Sequence, residues 1–311
     1  MFRIDPHVHC RDGEEAYKAT VRGISLLAKD QGIVHICDMP NTRPPILREK
    51  DVLARLELVR KSKPAVGYSL FMYLTSERAQ IEEAVRVVRE YPEVVGLKLY
   101  PPANKKKRIY QTLAELGYTG VLAVHAEKAS LFKTDLFDPQ KPWTHNLAQP
   151  PKAEIESVKE QIKFARAVNF QGTLYICHVT LPESAEIIWR AKKYLRIYSE
   201  VTPHHLLFSD LRMREKDGLL WKVNPPLRDN KSTRGLLKAV TQGKIDCLGT
   251  DFAPHALLEK LWPPYLSGIA IYAMYGCALD LLRKQGMSEA EIDNLTYWNI
   301  KEVFGDKLKD V

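Results

Sequence analysis

The chain has 311 residues, 45% hydrophobic and 27% charged, with 46 Lys and Arg against 38 Asp and Glu and a formal net charge of +8. That balance belongs to a globular protein with a sizeable core, and no apolar run reaches the ~18 residues that a membrane span needs. The five cysteines (Cys10, Cys37, Cys177, Cys247 and Cys277) show no CxxC spacing, which argues against a disulfide framework or a structural zinc site.

The opening residues, Met1-Phe2-Arg3-Ile4-Asp5, lack the basic, apolar and cleavage-site succession of a signal peptide, so a cytoplasmic protein is expected. The densest basic run, Lys105-Lys106-Lys107-Arg108, has no interleaved aromatics and reads as a solvated loop, so neither nucleic acid nor membrane is expected as a partner. A basic surface does favour small anionic substrates by steering.

The first apolar run, 3–9, leads through "IDPHVHCRD" (4–12). Alternate side chains of a strand share a face, so His7, His9 and Arg11 would point one way, a set suited to a metal and an anion. Residues 33–39 form a second run, which leads into Pro40-Asn41-Thr42-Arg43. Further runs follow at 66–74, 94–100 (carrying Lys98), 120–125 (ending at His125), 173–178 (ending at His178), 195–202 and 245–249. The seventh continues into Pro203-His204-His205, and the eighth into Thr250-Asp251 and then Pro254-His255. Between them, residues 14–29, 49–62, 78–91, 154–168, 182–193 and 232–241 place apolar residues at helical spacing. Residues 132–151, rich in proline and holding Trp143, have no helical pattern and read as a rim loop.

Eight strands alternating with helices predict a parallel sheet closed into a (β/α)8 TIM barrel. We expect one domain over 1–311, with the strands within about 3–250, the usual span of that fold, and the last helices in 256–311. Active sites of such barrels form at the C-terminal ends of the strands. His7, His9, Lys98, His125, His178 and Asp251 all fall there. Any one alone would read as a hydrogen-bonded core residue or a turn cap. Together they form a set whose imidazoles and carboxylate suit zinc or a similar ion. Lysine does not fit that set as an ammonium, and an uncompensated buried ammonium is costly. A carbamate made with carbon dioxide would remove the conflict, although spacing alone does not indicate one.

The stretches "DPHVHCRD", "DMPNTRPP", "GLKLY", "VHAE", "ICHVT", "EVTPHHLLFS", "NPPLR" and "GTDFAPH" occur in order over residues 4–256. They resemble the cyclic amidohydrolase superfamily, and within it the dihydroorotases. The resemblance implies two zinc ions bridged by carboxylated Lys98. His7, His9 and Asp251 would hold one ion, and His125 and His178 the other. It implies Asp251 as general base, and Arg11, Asn41, Asn224 and His255 as contacts for N-carbamoyl-L-aspartate or L-dihydroorotate in pyrimidine biosynthesis. It also implies a homodimer and an association with aspartate carbamoyltransferase as partners to look for.

Several features depart from the family. Relatives carry a small β-sandwich built from both ends, which this barrel is expected to lack. Phe252 stands where histidine is commoner, and "YLSGIAIY" (265–272) has no counterpart to a glutamate found in relatives. His204, His205, Glu127 and Asp12 read as orienting residues, and His35 and His145 as structural or exposed. A hydantoinase-like cyclic amidase and an inactive scaffold subunit are the competing readings.

Overall fold

The structure is a computed structural model, and it describes residues 2–308. Its strands are β1 (Arg3–Val8), β2 (Ile33–Asp38), β3 (Gly67–Tyr73), β4 (Val94–Leu99), β5 (Val121–Val124), β6 (Thr173–Ile176), β7 (Ile197–Val201) and β8 (Cys247–Leu248). They form one eight-stranded sheet in chain order, and every neighbouring pair is parallel. The backbone just beyond β8 meets β1 through a Val8–Phe252 bridge and a 2.9 Å bond from His9 N to Phe252 O, which leaves the barrel nearly closed.

All eight runs expected from the sequence are strands of this barrel, though β8 is trimmed to two residues. The helices differ mainly at their starts, for reasons that lie in their caps. Residues 14–29 yield a helix only from Val21, because Thr20 Oγ1 accepts from Gly23 N and sets the first turn there. Pro151 opens the helix Pro151–Ala167 earlier than expected, since proline suits a first helical position. Up to that proline, the stretch 132–151 holds only short turns and the four-residue helix His145–Ala148.

Strand alternation divides the core in two. Leu70, Met72, Leu97, Leu99, Leu122, Val124, Leu174 and Ile176 face outward onto the helices. Phe71, Ala123, Tyr175 and Cys247 face the lumen, where Ile300, Val303 and Phe304 meet them. Phe304 packs its ring 5.8 Å from both Phe71 and Tyr175, so the helix Asn299–Phe304 closes the end of the barrel away from the site. Lys98 lies between two outward leucines and therefore points inward, although it is a charged residue.

Three buried histidines bear on stability. Burial lowers His35 to about 4, His145 to about 3 and His204 to about 4. The unfolded chain protonates them near pH 6.5. Their contribution is therefore complete above pH 6.5 and is lost as pH falls toward 4 and then 3. Each tenfold difference in proton affinity between the folded and unfolded chain is worth about 1.4 kcal/mol. We expect the denaturation free energy to drop by roughly a few kcal/mol over that window. His145→Gln should flatten the slope, and an unchanged slope would show that His145 titrates normally.

Candidate active site

β1 is irregular in register between Asp5 and Val8. Ile4 packs in the lumen while Val8 joins the outer layer, and the shift turns His7 and His9 inward. His7 Nε2 stands 3.3 Å from Asp251 Oδ1, and His9 Nε2 stands 2.8 Å from the same oxygen. On its other side, His9 Nδ1 is 2.7 Å from Asn41 Oδ1. Across the mouth, the His178 ring lies 5.4 Å from that of His7 and 4.4 Å from that of His125. Lys98, fully buried beneath them, donates to Cys177 Sγ at 2.8 Å and sits 5.3 Å from the Tyr100 ring centre.

The backbone is unusual at two of these positions. His178 has φ of 39° and Asp251 φ of 47°, left-handed values that side-chain-bearing residues seldom adopt. Such strain costs roughly 1–3 kcal/mol per residue and persists where the surroundings impose it. Both residues face the same cleft of about 470 Å3, which His7, His9, His125, Arg11, Asn41, Asn224 and His255 also line.

Electrostatics favour a cation at this point. Burial alone would strip the proton from His7, but the charges of Glu200 and Asp251 raise it to about 10. Burial would also raise Asp251, yet the His7 charge and the His9 hydrogen bond hold its carboxyl well below the usual range. Burial pushes His9 and His178 below the ordinary imidazole range, which favours rings that can offer a lone pair to a cation. His178 Nδ1 is buried with no hydrogen-bond partner among the described residues. His7, His9 and Asp251 bring one ligand atom each within 4.8 Å of one another. Imidazoles around a carboxylate, with His7 giving up its second proton to the incoming cation, make a donor set that zinc accepts.

Of the predicted anion contacts, the two amides have their acceptors engaged, which leaves donors for a ligand. Arg11 Nε is held 3.2 Å from Pro254 O. Asn41 Oδ1 is taken by His9, and Asn224 Oδ1 stands 2.8 Å from His145 Nε2, so both amide NH2 groups remain for a guest. His255 lies 3.6 Å from Glu259. Asp12 Oδ2 accepts from Val21 N at 2.8 Å, and Arg55 grips the carbonyls of Cys10 and Arg11, which fixes the backbone beneath the Arg11 side chain.

Other residues lie outside this ring. His205 bonds Thr202 Oγ1 and Pro225 O, and neither His204 nor His205 lines the cleft. Glu127 stands 2.9 Å from His125 Nε2. The divergent 265–272 stretch supplies Leu266, Ser267 and Gly268 to the rim. Two lysines strap it down: Lys222 Nζ donates to Tyr265 O and Ser267 Oγ, and Lys260 Nζ to Gly268 O. Glu200, which bonds His7, does not stand out from sequence alone. The signal it carries is an acid inside an apolar strand run, the counterpart of Lys98 in its own strand.

No family model matches the chain. It is 29% identical to the dihydroorotase of Methanosarcina mazei, an alignment that covers 97% of this chain and 69% of that protein. It is 31% identical to the dihydroorotase of Methanopyrus kandleri, over 92% of this chain and 65% of that one. Across eight such curated dihydroorotases it spans 55% to 72% of their lengths. The L-hydantoinase of Arthrobacter aurescens shares the fold with a TM-score of 0.80 at 22% identity, over 97% of this chain and 70% of that chain.

Proposed function

The chain is a relative of the dihydroorotases within the cyclic amidohydrolases, and from that premise we propose that it interconverts N-carbamoyl-L-aspartate and L-dihydroorotate, a metal-dependent ring closure of pyrimidine biosynthesis. The observation that carries this reading is the meeting of His7, His9 and Asp251 at one point of the cleft, with His178 and His125 alongside. His7, His9 and Asp251 would hold one zinc ion and His125 and His178 a second, with Lys98 as its carbamate shared between them. A zinc ion held there would lower the pKa of water toward about 7 and polarise the amide carbonyl.

The chain's own residues do the rest. Asp251 takes a proton from the attacking water during ring opening and hands it to the departing ring nitrogen. In ring closure it runs the same transfer backwards, from the carbamoyl nitrogen to the leaving oxygen. Arg11, the Asn41 amide and His255 fix the substrate carboxylate, and the Asn224 amide meets the ring. A planar guanidinium whose Nε is already spoken for presents its remaining N–H groups as a fork, which a carboxylate matches. Partner expectations carried by the same family are a homodimer and an association with aspartate carbamoyltransferase. No helix among the described residues is long and apolar enough to cross a membrane.

The deciding experiment supplies zinc to the purified chain and measures ring opening of dihydroorotate against hydantoin. Turnover of dihydroorotate is expected, and turnover of hydantoin alone would overturn the reading. Arg11→Gln should raise KM about tenfold to a hundredfold, the worth of a hydrogen bond to a charged group, with a smaller change in kcat. An unchanged KM would place the carboxylate elsewhere.

A further inference from the structure

Glu200 lies within β7, wholly inaccessible to solvent. A carboxylate in such a place is costly unless its oxygens are satisfied and its charge is met. Among the described residues, its one ion-pair partner is His7, at 2.7 Å from Nδ1 to Oε1. The backbone N–H of His178 donates to the same oxygen at 3.0 Å, and the Tyr175 hydroxyl donates to Oε2 at 2.8 Å. The chain after β8 makes room for it: a Cβ on Gly249 would stand 2.7 Å from Glu200 Oε2, so only glycine fits there without displacing the acid. Residues from β1, β6 and the end of β8 are thus arranged around one buried anion on β7.

A carboxylate only accepts, so when a metal displaces one of the two His7 protons, the proton that stays belongs on Nδ1 and the lone pair falls on Nε2, the nitrogen that faces Asp251. We infer that Glu200 is a positioning residue of the metal centre: it fixes the tautomer and ring angle of His7 and, through the His178 amide, the left-handed backbone that carries a second ligand. This rests on the metal-centre reading given above. A role as a direct ligand fits less well, because both Glu200 oxygens already accept protein donors. Partners of this type raise the basicity of the imidazole they hold and orient its free nitrogen.

Glu200→Gln tests this. Its amide oxygen can still accept from His7 and His178, and its NH2 can donate to Tyr175, so shape is kept and charge is lost. Zinc affinity, read by competition with a chromophoric chelator, should weaken roughly tenfold to a hundredfold, while saturating zinc still loads as many ions as in the unaltered protein. Tyr175→Phe, which removes only the far hydrogen bond, should leave the affinity within a few-fold. Melting of both variants without metal separates a merely structural role: a lower Tm with unchanged affinity overturns the inference. Loss of one ion from Glu200→Gln at saturation would make Glu200 a ligand and also overturn it. If Glu200→Gln does not fold, Glu200→Asp keeps the charge and withdraws it by one methylene. Weakened affinity then supports the inference, and unchanged affinity overturns it. Failure of the unaltered protein to bind zinc at all would instead sink the metal-centre reading, and this inference with it.

Discussion

Replacing Asp251 by asparagine is expected to lower kcat by roughly 10^3-fold, within the span that a positioned general base contributes. The side chain is nearly isosteric, so packing around the mouth should survive. What changes is the capacity to take a proton and the charge facing His7 and His9. Because Asp251 would also be a ligand, zinc content must be measured alongside kcat. A variant that still loads its metal and turns over within tenfold of the unaltered protein would remove Asp251 from the proton transfer. KM should move far less than kcat, since Arg11, Asn41 and His255 are untouched. The left-handed backbone at Asp251 supports a role of this kind, because asparagine tolerates that conformation almost as well as aspartate. The substitution therefore isolates chemistry from strain.

Lys98→Ala is expected to cost roughly 10^3-fold or more in kcat/KM, several kcal/mol of barrier, and to reduce the zinc retained after purification. Lys98 is fully buried and its one hydrogen-bond partner among the described residues is Cys177 Sγ, with no carboxylate within ion-pairing distance. An ammonium held there beside metal cations would be repelled by them and poorly compensated by a thiol. As a carbamate, the same side chain becomes an anion with two oxygens, the complement of a cationic pair. Mass spectrometry of the intact protein under mild conditions should find one added carbon dioxide in the unaltered chain and none in Lys98→Ala. Full metal content and activity in the variant would show that Lys98 serves packing alone.

Much of this architecture is legible in the sequence, because it depends on local signals. Helix Glu49–Ser62 is read to the residue. Lys98 betrays an inward face by standing between Leu97 and Leu99. Other features resist such reading because their causes are distant in the chain. Simple alternation puts His7 and His9 on one face, but it also puts Ile4 with Val8, and the structure separates those two through an irregularity in β1. Asn41 reads as a substrate contact, yet its oxygen braces His9, and only the fold shows that one amide has two ends to give. The strap at Tyr265–Gly268 is invisible beforehand, because lysine ammoniums bonded to backbone carbonyls leave no pattern in either partner. Glu200 escapes for a related reason: an acid inside an apolar run marks the position, but its partner stands 193 residues away and nothing local names it.

The plug that Phe304 makes against Phe71 and Tyr175 has a kinetic corollary. With that end stoppered among the described residues, the proposed open-chain and cyclic compounds would both occupy the cleft at the opposite mouth and could not be housed there together. Each should therefore act as a purely competitive inhibitor of the other's conversion, whichever direction is followed.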